Sequence, residues 1–230
     1  MSADSYTDYC TDLNGKKRYF KDIHGNVYDI NHIPPGTVFE DLDLSCMKFT
    51  ELPEVLTTCT VKRRFDCSYC IHLTSLKNLP KGVRILDCNN CWSLSSLEGC
   101  HDSVEVLICH DCHNLPSLKG ISKKLRKLDC SVCWSIPDLK GCCSEVLEEI
   151  NCCRCTSLES FEGCCSKALK SIYCRACCIL CIPDCIPDEV IQGLSGGEIA
   201  MGRFSWLIKQ NKNALRAKLS AIKATFIHSR

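Results

Sequence analysis

Six Cys-x-x-Cys pairs are the residues in this chain whose type and spacing could do chemistry: Cys67/Cys70, Cys88/Cys91, Cys109/Cys112, Cys130/Cys133, Cys152/Cys155 and Cys174/Cys177. The segment from Cys67 to Cys91 satisfies the Cys-x2-Cys…Cys-x2-Cys spacing of a four-thiolate zinc site. An iron–sulfur centre would draw on the same ligands. Cys109-His110-Asp111-Cys112-His113 concentrates further metal-binding types. A Cys-x-x-Cys at a helix N-terminus would instead suit dithiol redox exchange, because the helix end lowers the thiol pKa. Each of these chemistries requires the side chains to converge on one point, so the elements that carry them decide the matter.

The first cysteines of the pairs follow one another at 21, 21, 21, 22 and 22 residues, and an apolar frame moves with them. Two residues before each stand Phe65, Leu86, Leu107, Leu128, Ile150 and Ile172. Five before, from the second copy on, stand Val83, Val104, Leu125, Leu147 and Leu169. Six after stand Leu73, Leu94, Leu115, Ile136, Leu158 and Leu180, and nine after stand Leu76, Leu97, Leu118, Leu139 and Phe161. A metal ribbon has no reason to repeat leucines at fixed offsets from its ligands. A stack of short strands does, since a period of two buries the first cysteine and the residue two before it on one face. That alternation turns Cys109 inward and His110 outward, and it spreads the thiols along an axis. We therefore expect Cys67, Cys70, Cys88, Cys91, Cys109, Cys112, Cys130, Cys133, Cys152, Cys155, Cys174 and Cys177 to be packing groups, since free cysteine behaves as a small buried hydrophobe. No metal ligand, cofactor or catalytic residue is expected, and a cysteine-rich zinc- or iron–sulfur-binding protein is the alternative. The thiols are expected to stay reduced.

The unit L-x-x-L-x-C-x-x-C-x-x-L-x-x-L resembles the leucine-rich repeat, with cysteine at the third leucine and at the Asn/Cys position. Leu52-Pro53 and Leu79-Pro80 are similar to the Leu-Pro repeats of bacterial effector ubiquitin ligases. The cysteine position resembles repeats in substrate receptors of F-box ligases, and compact cysteine-rich repeats also look like those of large DNA viruses and intracellular bacteria. The resemblance implies a β-rich α/β solenoid, a horseshoe with a parallel concave sheet. It also implies a ladder in which the second cysteine, like the family's Asn, bonds turn backbone. A degenerate seventh copy is expected upstream, with Leu44 and Cys46 in the places of Phe65 and Cys67, Phe49 in place of the second cysteine, and Leu52 as the later leucine. Asn78, Gly99, Gly120, Gly141 and Gly163, eleven residues after each first cysteine, are types that tolerate positive φ. The return segments are too short for long helices and should be 3₁₀ turns or extended chain.

Residues 1–40 should form an N-terminal cap, a hairpin turning at His24-Gly25-Asn26 that covers the open edge of the sheet. Repeats should occupy 41–187, and 188–230 a C-terminal helical cap. A basic amphipathic helix is expected at about 203–227, where Phe204, Ile208, Leu215, Leu219, Ile222 and Phe226 recur at helical steps. Its plain role is closing the last repeat; contact with anionic lipid or with a partner protein is the alternative. The net charge of +1 gives no pull toward nucleic acid. No run of 18 apolar residues or signal-like N-terminus is present, so a cytoplasmic location is expected, in the host if the source is a virus or pathogen.

Function is expected on the outward strand residues, which a solenoid lines up into a continuous surface. Ile85, Val106 and Ile108 form an apolar centre beside Asp66, Asp87, Asp129 and His110, with Tyr173 further along. Trp92 and Trp134 lie two repeats apart on the turn edge, where they cover leucines or anchor a partner. This reads as a non-catalytic protein–protein interaction module. An adaptor or substrate receptor in ubiquitin ligation, or in pathogen–host interaction, is the alternative.

Overall fold

The computed structural model describes residues 11–142, 144–195, 198–199 and 206–213. Period-two alternation produces a row of short strands: β3 (Val38–Asp43), β4 (Thr60–Asp66), β5 (Ile85–Asp87), β6 (Val106–Ile108), β7 (Lys127–Asp129), β8 (Glu149–Asn151), β9 (Ser171–Tyr173) and β10 (Ile191–Gln192). They pair in parallel, in chain order, into one eight-stranded sheet. The chain is thus a parallel β-solenoid of about seven turns. Its return segments are turns and extended backbone, with 3₁₀ turns at Glu54–Thr58 and Asp188–Val190. The middle residue of each strand from β5 to β9, and its counterpart Phe65 near the end of β4, points inward: Phe65, Leu86, Leu107, Ile150 and Ile172 are fully enclosed and Leu128 nearly so. Each turn contributes a rung to one continuous core, so stability is built rung on rung rather than around a single centre.

The antiparallel hairpin of β1 (Phe20–Lys21) and β2 (Val27–Tyr28) lies against the first rung, where the Ile23 N–H donates to the Val38 carbonyl at 3.0 Å. Its turn is held by Asp22, whose carboxylate accepts from the N–H groups of His24 and Asn26 at 2.9 and 2.8 Å. Leu13 N–H donates to the Cys46 carbonyl at 2.7 Å. Together these segments occupy the edge of the sheet that would otherwise be unpaired.

Two registers differ from the repeat frame. Leu42, not Leu44, pairs with Phe65, so Leu44 occupies the place of Cys67 and Met47 that of Cys70. An irregularity between Phe39 and Asp41 absorbs an extra residue. A shift of two leaves inward and outward faces unchanged, and period-two patterning is therefore blind to it. In the last copy Ile179 is buried and Leu180 is 60% exposed, a slip of one residue that turns the expected core leucine into solvent. This final coil is also shorter, for Ile191 pairs with Ile172 only 19 residues back. The sheet therefore continues into β10, past residue 187. Residues 206–213 are helical, and Ile208 on that segment is exposed; the remainder of the helix expected at 203–227 lies outside the described residues.

Positive φ occurs at Asn78, Gly99, Gly120, Gly141 and Gly163, as their types require. At Gly99 close approach matters as much as φ: an added Cβ would stand 2.2 Å from the Leu76 carbonyl oxygen of the rung below.

Candidate interaction surface

Inside the coil the paired cysteines form a ladder. Cys91, Cys112, Cys133, Cys155 and Cys177 donate from Sγ to the carbonyls of Cys67, Cys88, Cys109, Cys130 and Cys152, at 3.2, 3.2, 3.1, 3.0 and 2.8 Å. Cys70 makes the same contact to Leu44, at 3.3 Å. The second thiol of each rung thus binds the turn backbone of the rung below, as a weak donor that ties one rung to the next. Of the twelve, only Cys177 is partly exposed. Hydrogen bonding with the next rung's thiol, then burial, pushes Cys67, Cys88, Cys109, Cys130 and Cys152 well above the ordinary thiol range. Thiols so held are poor nucleophiles. Among the described residues no three His, Cys, Asp or Glu side chains converge as metal ligands would. One pair departs from the reduced state expected: Cys165 and Cys185, exposed on neighbouring rungs with Cα atoms 5.8 Å apart, form a disulfide. Rung stacking places such neighbours within the 4.4–6.8 Å range that a disulfide spans.

The outward residues form two rows across the sheet. One row runs Arg64, Ile85, Val106, Lys127, Glu149, Ser171, and the other Asp66, Asp87, Ile108, Asp129, Asn151, Tyr173. Most of the polar members satisfy one another. Arg64 donates to Asp66 at 3.1 Å and to Asp87 at 2.5 Å, Lys127 pairs with Glu149 at 2.9 Å, and Asn151 donates to Asp129 at 3.1 Å.

The second row has a structural duty that its charge conceals. Each of Asp43, Asp66, Asp87, Asp129 and Asn151 accepts, through its side-chain oxygen, the backbone N–H two residues later, at 2.8–3.2 Å. These are Asx turns that bend the chain off the strand. The acidic column is thus part of the scaffold, and Asp87 is almost wholly buried in it. Ile108 and Tyr173 stand in the same row and cannot make that bond. They break the local pattern of the row and give up a turn-stabilising contact. Between them lies a depression of about 390 Å³, lined by Val106, Ile108, Lys127, Asp129, Asn151 and Tyr173 among others. Ile85 and Val106 are half-buried next to it, and Tyr173 is 42% exposed. His110 is half-buried one strand position beyond Ile108. Sequence reasoning put Ile85, Val106 and Ile108 together but left Lys127, Glu149, Asn151 and Cys153 out of the candidate set; the missing signal was the interrupted Asp/Asn column.

The entry to each strand carries alternating charge. Arg84 pairs with Glu105 at 2.8 Å, and Glu148 is held by Arg126 at 2.5 Å and Lys170 at 2.6 Å. The Lys170 and Arg126 hydrogen bonds draw the Glu148 carboxyl down to about 2.

At the strand exits is the turn edge. Trp92 and Trp134 are 47% and 50% exposed, and His113, on the rung between, stacks on Trp134 with centroids 4.0 Å apart and planes 17° from parallel. The Asp111 carboxylate lies 3.0 Å from His113 Nε2. The tryptophans thus present half their surface to solvent while lying over the coil. One residue in each of these turns is left-handed: Cys46, Tyr69, Asn90, Asp111, Val132, Arg154 and Ala176 all have φ between 55° and 62°. Asn and Asp tolerate this conformation, whereas Val132 and Tyr69 are strained in it.

Comparison of the chain with protein-family models, with curated proteins and with solved structures finds no match.

Proposed function

We propose that this protein is a non-catalytic binding module of the leucine-rich-repeat kind, a horseshoe whose concave sheet receives another protein. The helix at 206–213 is then a C-terminal cap, in keeping with the contact of Lys209 with Glu162 on the fifth of the six cysteine-pair rungs. The observation that carries the reading is the break in the Asx column. Ile108 and Tyr173 expose apolar surface where Asp or Asn would hold the turn, and they flank the depression on an otherwise self-satisfied face. Apolar anchors inside a rim of paired charges are the anatomy of a protein–protein hot spot. The thiols serve as filling for the coil.

The test is capture of a partner from native cell extract by the wild-type chain, Ile108→Glu, Tyr173→Ala and a control on the return segments, Lys77→Glu. Wild type and control should retain one common partner that both sheet-face variants lose, with circular dichroism unchanged in all four. Equal capture by Ile108→Glu would refute the assignment of the face.

A further inference from the structure

Where the Asx column is intact, the backbone N–H two residues after Asp66, Asp87, Asp129 and Asn151 is taken by a side-chain oxygen at 3.0–3.2 Å. On the two exceptional rungs it is not. The N–H groups of His110 and Arg175 meet no protein acceptor among the described residues. Each exception therefore leaves a free main-chain donor beside an outward hydrophobic side chain, Ile108 on β6 and Tyr173 on β9. At Arg175 a glycine keeps the last coil's side chains off that donor, for a Cβ added to Gly193 would stand 2.8 Å from the Arg175 nitrogen.

The two places differ in charge. Of the outward cations, Arg64 is held by Asp66 and Asp87, and Lys127 by Glu149. Arg175 is exposed and has no acidic partner among the described residues, and the hydroxyl of Tyr173 has no protein hydrogen bond there. Glu198, whose charge reaches the adjacent Cys174, spends its Oε2 on the Ser195 N–H and hydroxyl, both at 2.7 Å. Guanidinium, main-chain N–H and phenol thus remain as donors without acceptors within three residues of chain, one rung beyond Cys153 in the lining of the depression. At the other place Ile108 and its half-buried neighbours Ile85 and Val106 carry no charge.

Resting on the reading of the sheet face as the partner's seat, we propose that the segment it receives is extended and acidic and lies along the coil axis. One carboxylate of that segment meets Arg175, and an apolar side chain four residues away meets Ile85, Val106 and Ile108. The carboxylate takes the part that Asp plays on the other rungs, accepting the Arg175 N–H and pairing with the guanidinium. Spacing sets the separation. Three rungs part Ile108 from Tyr173, about 14 Å at about 4.8 Å per rung, and four residues of extended chain span about 13 Å with both side chains on one face. Asp129 lies between, its carboxylate given to Ser131 and Asn151 with no cation paired to it among the described residues, so the segment's residue midway is uncharged. Anionic lipid or nucleic acid would need several free cations, where the outward rows leave Arg175.

The experiment selects on immobilised full-length protein from a display library of random peptides about twelve residues long, enough to span the face, with both ends fused so that no terminal carboxylate is presented. Enriched peptides should carry Asp or Glu four positions from Leu, Ile, Val or Phe, with no second acid between. Changing that acid to its amide in the strongest peptide should weaken binding about tenfold or more by fluorescence anisotropy. Selection on Arg175→Glu should exchange the acid for Lys or Arg and keep the apolar residue, and the kept preference shows that the variant has folded. Enrichment without an acid, an acid at no fixed distance from the apolar residue, or the same peptides from Arg175→Glu would overturn the proposal. If those peptides are still lost by Ile108→Glu, the sheet face stands and only its acidic partner falls. Peptides held equally by Ile108→Glu would overturn both readings, and no enrichment at all would overturn the proposal.

Discussion

Gly99 and Gly120 occupy equivalent places one rung apart with φ of +98° and +96°, yet they differ in what lies beneath them. A Cβ at Gly120 would meet the Leu97 carbonyl oxygen at 3.4 Å, a tolerable contact. At Gly99 it would meet the Leu76 oxygen at 2.2 Å, the Leu76 carbonyl carbon at 2.5 Å and the Lys77 nitrogen at 2.8 Å, all backbone atoms unable to swing aside. Alanine at either site bears the strain of a conformation suited to glycine, about 1–3 kcal/mol. Reduced freedom of the unfolded chain offsets that by about 0.4–1 kcal/mol. Gly120→Ala should therefore cost about 1–2 kcal/mol. Gly99→Ala must in addition push the rungs apart or tilt the Leu76 peptide away, which weakens the bond from the Leu79 N–H to the Leu76 carbonyl, now 3.1 Å. That bond is worth about 1 kcal/mol and the repulsion adds a similar amount, for a total of about 3–4 kcal/mol. Urea denaturation followed by circular dichroism gives both values. By calorimetry the variants should melt roughly 4–8 °C apart, since about 1 kcal/mol shifts a chain of this size by 2–4 °C. Equal costs within about 0.5 kcal/mol would refute the reasoning, because they would mean that the rungs have slack where close stacking is claimed.

Val132→Asn should raise stability by roughly 1 kcal/mol in the same assay, because a β-branched residue at φ +60° is replaced by one that tolerates it; a loss of stability would show that Val132 packs more than it strains. Glu148 titrates near 2 when folded and near 4.3 when unfolded, so its contribution is complete above about pH 4.3 and fades as pH falls toward 2. The melting difference between wild type and Glu148→Gln should therefore be largest near neutral pH and shrink below pH 4; a constant difference would mean that the Arg126 and Lys170 pairs do not set it. Native iodoacetamide labelling, read by mass spectrometry, should modify exposed Cys178 well before any of Cys67, Cys88, Cys109, Cys130 or Cys152, whose thiols are buried and shifted upward. Comparable rates would overturn the picture of sulfur as core filling.

The sequence by itself determined the coil, since a frame of leucines moving in step with cysteines every 21–22 residues has one economical solution, strands stacked in parallel with alternate residues inward. It also determined the left-handed turns at Asn78 and the glycines, because only those types accept them cheaply. Tertiary structure alone decided the registers at the two ends, since a slip of two at Leu42 preserves every face and the slip of one at Leu180 depends on where the last, shortened coil finds a partner strand. It alone divided the outward acids from the outward hydrophobes. Asp66, Asp87 and Asp129 look like a charged binding column in a string of letters, but each carboxylate is spent on a backbone N–H two residues away. That exchange makes Ile108 and Tyr173 the exceptions, and a hydrogen bond between side chain and turn is a matter of distance, which no spacing rule states.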